Sequence, residues 1–386
     1  MRCIYDMCHG YISYNDQETV FLDNHWVKRL KRIKQLGLLE HVFPSASHSR
    51  FEHSLGVSHI ADNYVDVLLK NSNKVPYYHN DYKFCAKMAG LFHDLGHGPF
   101  SHVFDNVVIQ DPENTHEIRS RRIVEYIFQE VGTKSGFNSA YIIDYIKEMI
   151  EPISNEYSSI PFFDIVNNSK TSIDVDKFDY LQRDPRHIGL DIKFDPARII
   201  NKSYIEDDSI IYSNSVTNNI LNMFSTRYRL HKDIYNHKTV KLIELMLGDS
   251  LLEADKHFNF KDISKGRDFC QLDDSIYSTI LNSHNKDLTK SANILKRIEN
   301  RELYKQLWCG NFDDDSHIKD FIEDNHKDLL PENVKFIHMK YNHCNGDESP
   351  LKNVKFKTSA IQSGSRTNIT SFEEKTVLIY NVSNTT

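Results

Sequence analysis

From Ser215 to Leu247 the chain runs without a glycine or a proline. As one helix this stretch would span about 50 Å at about 1.5 Å per residue. Strands seldom exceed ten residues, so a stretch of this length commits the chain to helix packed on helix. Gly248 marks its end or a kink, because the apolar pattern resumes over 250–255. The chain has 386 residues, and Gly 14 with Pro 10 is too little for a collagen-like or low-complexity chain. That length suits two or three domains, or one large domain with an appendage.

The same periodicity recurs upstream. Leu22, Trp26, Leu30 and Ile33 predict a helix over 21–36 that Gly37 ends. Leu55, Ile60, Tyr64 and Val67 predict another over 51–69, and 82–95 a third that Gly96 ends. Thr115 can cap a fourth, running to about residue 131. Further helices are expected over 139–150, 171–183, 272–283 and 290–308. Beyond about residue 330 the texture changes. Residues 334–341, 353–357 and 376–381 are short β-rich runs between Asn, Gly, Pro and Ser. The expected architecture is mainly α: a helical body over 1–325 and a small mixed α/β lobe over 326–386.

Lys+Arg 47 against Asp+Glu 54 leaves a net charge of −7, unlike a non-specific nucleic-acid coat protein. The six cysteines form no C-x-x-C pair, which argues against a zinc ribbon and a disulfide scaffold. The N-terminus lacks an apolar signal region, and no run approaches 18 apolar residues. The expectation is therefore an intracellular protein, cytoplasmic or nuclear, without a membrane segment. Lys28-Arg29-Leu30-Lys31-Arg32-Ile33-Lys34 holds five cations in seven residues. It reads first as the outer face of a helix. Effector phosphates or single-stranded nucleic acid are sharper readings, although no interleaved aromatics mark a base-stacking platform.

Histidine is the unusual residue, 20 in all. Its densest cluster is His93-Asp94-Leu95-Gly96-His97-Gly98-Pro99-Phe100-Ser101-His102. Adjacent imidazole and carboxylate suit a borderline divalent ion such as Mn, Fe, Co or Zn. The plain alternative is a helix C-terminus whose histidines favour its dipole. Arg50-Phe51-Glu52-His53 opens one helix and Asp174-Val175-Asp176-Lys177 another. One more histidine from the first and one more carboxylate from the second would complete a His₂Asp₂ set. Arg227, His231 and Tyr235 are spaced i, i+4, i+8, as are Asp176, Tyr180 and Asp184, so each trio can share a helix face.

Several long stretches then carry a resemblance. They are Ile33–Gly37, Val42–Val57, Ala89–His102, Thr115–Glu117, Ile173–Tyr180 and Thr226–Lys238, with weaker similarity beyond. In this order they resemble the HD-domain phosphohydrolase superfamily. Within it, the chain is similar to the catalytic core of the sterile-alpha-motif/HD-domain deoxynucleoside triphosphate (dNTP) triphosphohydrolases of animals, without the sterile-alpha-motif domain. The resemblance implies a divalent metal (Zn, Fe, Mn or Mg) on His53, His93, Asp94 and Asp176. It implies His116 as an active-site histidine flanked by Asp105 and Glu117. His102 would protonate the leaving 5′ oxygen, and His97 would contact the α-phosphate region. Arg50, Lys177, Tyr180 and Arg227 would hold the triphosphate. Gln35 and Leu36 would check the sugar, and Asp184 and Tyr235 would line the sugar and base pocket. Asn236 stands where the family has glutamine.

The same resemblance implies homo-oligomers, dimer or tetramer, and GTP or dNTP effectors. Asp23 matches a guanine-reading carboxylate. Val42, Phe43, Arg198, Asn219, His237 and Lys238 fit effector positions, and Arg301, Lys305 and Lys357 match basic ones. Lys28, Lys31, Tyr5, Ser213 and Ser215 depart from the pattern. The last two replace cations, which weakens the case for a second effector triphosphate. Three functions therefore stand: a dNTP triphosphohydrolase, an HD-family phosphodiesterase or nucleotidase, and a non-catalytic nucleic-acid-binding protein. The first two differ at Gln35, Leu36, Asp184 and Tyr235.

Overall fold

The computed structural model describes residues 1–72, 79–136, 139–310, 324–325, 333–357 and 373–382. The chain opens with a hairpin of β1 (Arg2–Asp6) and β2 (Gly10–Tyr14), which the sequence reading missed. Then come α1 (Asp16–Leu22), α2 (His25–Arg29), α3 (Arg50–Asn71), α4 (His79–Phe92), α5 (His116–Ser135) and α6 (Ala140–Ile150). α7 (Val175–Ile188) and α8 (Ala197–Asn201) lead to a second hairpin, β3 (Ser203–Glu206) and β4 (Ser209–Tyr212). The helical body closes with α9 (Thr217–Leu230), α10 (Lys238–Phe258), α11 (Phe260–Ile263), α12 (Ile276–Leu281) and α13 (Thr289–Glu299).

Caps place the chemistry. Ser49 and Glu52 form a capping box that starts α3, so Arg50 and His53 sit in its first turn. The Asp174 side chain accepts from the Lys177 amide and starts α7, which puts Asp176 in its first turn. Thr115 caps α5 as expected and leaves His116 at its first position. α3 packs on both α4 and α7. The approach to α4 is backbone to backbone: a Cβ on Gly90 would lie 2.9 Å from Ser58 Cα. That closeness brings the start of α3 beside the end of α4.

Three expected helices come out differently. The stretch 21–36 is split, because Asp23 ends α1 and the Asn24 side chain caps α2 through the Trp26 amide. Ile33 is already extended, and Gly37 starts a 3-10 turn. The stretch 215–247 is two helices joined by a wide π-type turn, His231–Tyr235, and the His237 side chain caps α10. Gly248 lies inside α10 and ends nothing. Residues 305–308 leave the helix after α13 and enter β5 (Lys305–Gly310), where pairing with β7 overrides helical spacing. Strands β6 (Val334–Tyr341) and β7 (Glu374–Asn381) occur where expected, in an antiparallel sheet ordered β5-β7-β6. Residues 353–357 form only a bridge from Phe356 to Tyr212. The division expected after residue 325 meets residues 326–332, outside the described set.

The helices share one continuous apolar core, and a small second cluster of Val334, Val377 and Ile379 lies under the sheet. Among the described residues no helix is long and apolar enough to cross a membrane. The cationic run 28–34 is not simply an outer face. Lys28, Lys31 and Arg32 are exposed, but Arg29 is fully buried. Its guanidinium donates to the carbonyls of Leu272, Leu95 and His97 at 2.6, 3.1 and 2.8 Å. A buried cation with three acceptors is a clamp on the loop after α4.

Candidate metal centre and catalytic cavity

His53 and His93 meet from the start of α3 and the end of α4, with their Nε2 atoms 3.3 Å apart. Asp176 Oδ1 lies 2.9 Å from His53 Nε2 and 3.7 Å from His93 Nε2. Asp94 Oδ1 lies 3.4 Å from His93 Nε2. Bonds of about 2.1 Å to one ion separate neighbouring donors by roughly 3.0 Å in octahedral and 3.4 Å in tetrahedral geometry. His53, His93 and Asp176 therefore bring ligand atoms within 4.8 Å of one another, a set that can hold a single divalent ion, and Asp94 stands beside His93 at its edge. His93 donates Nδ1–H to the Gly90 carbonyl at 2.8 Å, which leaves Nε2 free as a ligand. Burial pulls the His53 imidazole down, but hydrogen bonds to Asp176 and Asp179 outweigh it and raise the group to about 10. Burial opposes ionisation of Asp94, yet Arg50 and His93 hold its carboxyl well below its ordinary value.

Arg50 donates to Asp94 Oδ2 at 2.6 Å and to Ser101 Oγ at 2.7 Å. It thus holds one carboxylate oxygen of Asp94 and leaves the other toward the histidines. The cluster lies on the floor of a cavity of about 500 Å³. That volume suits a nucleotide-sized ligand. Gln35, Leu36, Arg50, Lys177, Tyr180, Asp184, Tyr235 and Asn236 all line it, as do His97, His102, His116 and Glu117. The Gln35 amide oxygen is buried without a protein partner, so the wall keeps an unused acceptor.

Beside the four donors stands a second histidine group. His97 stacks on His116 with ring centroids 3.9 Å apart, and His102 meets both edge-on. His116 donates Nδ1–H to Asp105 at 2.7 Å, and Glu117 stands 3.1 Å from its Nε2. Arg119 braces Asp105 from behind. The His102 ring opens into the cavity, yet the enclosing protein, His116 and Arg50 all disfavour its charge and hold its pKa below the ordinary value. At the far wall Asp184 accepts from His48 Nε2 at 2.9 Å and from the Tyr235 hydroxyl at 2.5 Å.

Asp176, Tyr180 and Asp184 share the cavity face of α7, as their spacing predicts. The other trio does not hold together. The wide turn brings His231 and Tyr235 to the cavity but sets Arg227 outside its lining, donating to the Asn342 carbonyl at 3.3 Å. The sequence reading missed Lys241 and Glu244, which line the cavity as an ion pair at 2.7 Å. Their spacing after His237 (i+4, i+7) is the helical signal that could have found them. It also missed Asp179, the partner of His53 Nδ1.

The expected effector residues fall in separate places on one chain. Asp23 pairs with Arg2 and Lys28, which hold its carboxyl at about 2. Phe43 packs edge-on against His237, next to Val42 and Lys238, and Arg301 donates to the His41 carbonyl. Arg198 reaches the Ser215 carbonyl, and Asn214 donates to the Lys357 carbonyl. Asn219 lies on α9, and Lys305 begins β5.

Residues 50–184 match the HD domain family, and residues 194–332 match the HD associated region. The deoxynucleoside triphosphate triphosphohydrolase SAMHD1 homolog of Dictyostelium discoideum is 34% identical over 372 residues, covering 92% of this chain and 71% of that protein. The SAMHD1 triphosphohydrolase of Bos taurus is 36% identical over 344 residues (79% of this chain, 58% of that protein). That of Homo sapiens is 35% identical over 344 residues (80% and 55%).

Proposed function

The chain belongs to the HD-domain family of deoxynucleoside triphosphate triphosphohydrolases, and on that premise we propose the reaction and the residues that carry it. It is an enzyme that cleaves a dNTP with water into a deoxynucleoside and tripolyphosphate. Water oxygen bonds to the α-phosphorus, the bond from phosphorus to the 5′ oxygen breaks, and a proton passes to that oxygen.

His53, His93, Asp94 and Asp176 would hold a divalent ion, which when bound would supply Lewis acidity and lower the pKa of water toward about 7. Arg50 keeps Asp94 oriented. Lys177 and Lys241 stand at the wall as partners for phosphate oxygens, and Arg227 lies behind Tyr180. His97 and His116 face the α-phosphate, and Asp105 and Glu117 orient His116. His102 delivers the proton to the departing 5′ oxygen. Gln35 and Leu36 crowd the sugar, while Asp184, Tyr235 and Asn236 bound the nucleoside end. The effector this reading favours is GTP, held between copies of the chain in a homo-oligomer, while Ser213 and Ser215 weaken the case for a second, dNTP site.

The observation that carries this reading is that His53, His93 and Asp176, grouped within reach of one ion with Asp94 beside them, share one nucleotide-sized cavity with three further histidines. The test measures tripolyphosphate release from dGTP by the purified chain and by His93→Ala and Asp94→Ala. Both variants should lose turnover, and intact turnover in either would overturn the scheme. The phosphodiesterase or nucleotidase reading is favoured if cyclic nucleotides or nucleoside monophosphates turn over and dNTPs do not.

A further inference from the structure

His53 turns only one ring nitrogen toward the donor cluster. The other, Nδ1, donates to Asp179 Oδ2 at 2.8 Å. Asp179 is fully buried and accepts from three side chains. Arg183 gives it Nε at 2.8 Å and Nη2 at 3.0 Å, and His9 gives Oδ1 its Nε2–H at 2.6 Å. His9 is no neighbour in sequence: it lies in the turn between β1 and β2.

That turn is held by the same network. Arg183 reaches past Asp179 to Asp6, with Nη1 at 2.8 Å and Nη2 at 3.2 Å. Asp6 Oδ1 accepts the amides of Cys8 at 2.8 Å and His9 at 3.0 Å, which fixes the turn that presents His9. Asp6, Arg183 and His53 are all buried, at 5%, 1% and 1% exposure. Room for the network comes from α3, where a Cβ on Gly56 would lie 1.9 Å from Asp179 Oδ1. A two-stranded hairpin is marginal by itself. The turn of this one is held by ion pairs that lead straight to a ligand histidine.

We infer that the N-terminal hairpin is the outer support of the metal centre: His9 and Asp6, acting through Asp179 and Arg183, orient His53 and so set the affinity for the divalent ion. This rests on the reading that His53 is a ligand. A carboxylate on Nδ1 fixes the tautomer with the Nε2 lone pair toward the ion and raises its basicity. Three further N–H donors, two from Arg183 and one from His9, fix the Asp179 carboxylate in turn, so removing one loosens the imidazole without unpairing it. His9 and Asp6 are positioning residues that never touch substrate.

The experiment uses the full chain and a chelator-competition titration with Mn²⁺, alongside the melting of metal-free protein. His9→Leu should weaken Mn²⁺ binding severalfold, less than the roughly tenfold to hundredfold cost of losing a ligand's direct partner, because Asp179 stays on His53. His9→Gln, which keeps an N–H donor, should recover part of the loss. Asp6→Asn should weaken binding severalfold, and it carries the test with His9→Gln if His9→Leu fails to fold. His53→Ala should abolish tight binding. Wild-type Mn²⁺ affinity in the folded His9 and Asp6 variants, with His53→Ala defective, overturns the inference and leaves the ligand reading intact. Wild-type affinity in His53→Ala overturns the ligand reading itself.

Discussion

Gly96 offers a prediction whose size follows from the packing. It lies between Asp94 and His97, against the start of α5. A Cβ there would sit 1.9 Å from the His116 carbonyl oxygen, 2.6 Å from the Ser120 nitrogen and 2.8 Å from Arg119 Cβ. Ordinary contact is about 3.2 Å or more, so Gly96→Ala demands a shift of about 1.3 Å. No rotamer can supply it, because every neighbour is backbone or the root of a side chain. The loop cannot lift away freely either. Gly96 donates to Ser120 Oγ at 2.8 Å and accepts from Arg119 Nε at 2.7 Å.

Overpacking of this kind costs about 1–3 kcal/mol. With about 2.1 cal/mol/K of unfolding entropy per residue, 386 residues give about 0.8 kcal/mol/K, so Tm should fall by about 1–4 °C. The catalytic effect should be far larger. The shift separates His116 from Asp94 and His97, and a misplacement near 1 Å costs on the order of 100-fold in rate. The assay is dGTP turnover beside a thermal melt, with Gly266→Ala as control. No atom lies within 4 Å of a Cβ at Gly266, so its stability should stay within about 0.5 kcal/mol and its turnover unchanged. Gly96→Ala with wild-type kcat would refute the reasoning.

If His102 is the proton donor, His102→Gln should lower dNTP hydrolysis by about 10²–10⁴. A nitrophenyl phosphate ester, whose leaving group needs no proton, should lose much less, and equal losses would remove the role. Because the cavity holds the His102 pKa down in the free enzyme, and bound phosphates push it up, the high-pH limb of kcat/KM should lie at lower pH than that of kcat. Coincident limbs across pH 5–9 would count against it. Arg29→Lys cannot serve three carbonyls in one plane, so at about 1–3 kcal/mol per unpaired group it should cost several kcal/mol, read as a denaturant midpoint shift. An unchanged midpoint would contradict the clamp. For effectors, GTP should raise dATP hydrolysis together with a shift to larger oligomers on a sizing column, and equal rates with and without GTP would end the regulatory reading.

The placing of His53 and Asp176 in the first turns of α3 and α7 was legible because caps are local. Ser49-x-x-Glu52 and Asp174 specify where α3 and α7 start within a few residues of sequence. The break at His231–Tyr235 was not legible. Arg227, His231 and Tyr235 keep perfect α-helical spacing, and only the wide turn shows that Arg227 stands behind Tyr180 rather than in the cavity lining. β5 was hidden for a related reason: Leu307 and Trp308 continue an apolar pattern, and it takes β7, about 70 residues later, to make them a strand. Arg29 was read as surface because a charge run usually is; its three carbonyl partners come from two distant segments. Contacts across long sequence separations, His9 to Asp179 above all, leave no pattern within a window of one helix.

The cavity's cations are already paired in the free protein. Arg50 is on Asp94, Lys177 on Asp174 at 2.7 Å, and Lys241 on Glu244 at 2.7 Å. A chain of net charge −7 with paired cations presents little positive field to a distant anion. Recognition of a triphosphate must therefore be short-range. Phosphate oxygens replace or share carboxylates that already hold each ammonium in place, so little side-chain order is lost on binding. The pairs are not equivalent, however. Lys177 and Lys241 are held by carboxylates outside the donor set and can turn to a phosphate. Arg50 is held by the carboxylate that also faces the ion, and drawing it away would release Asp94 Oδ2. On the proposed ligand set, Arg50 thus serves the geometry of Asp94 first and the phosphate second, which a sequence match to a phosphate-binding arginine does not reveal.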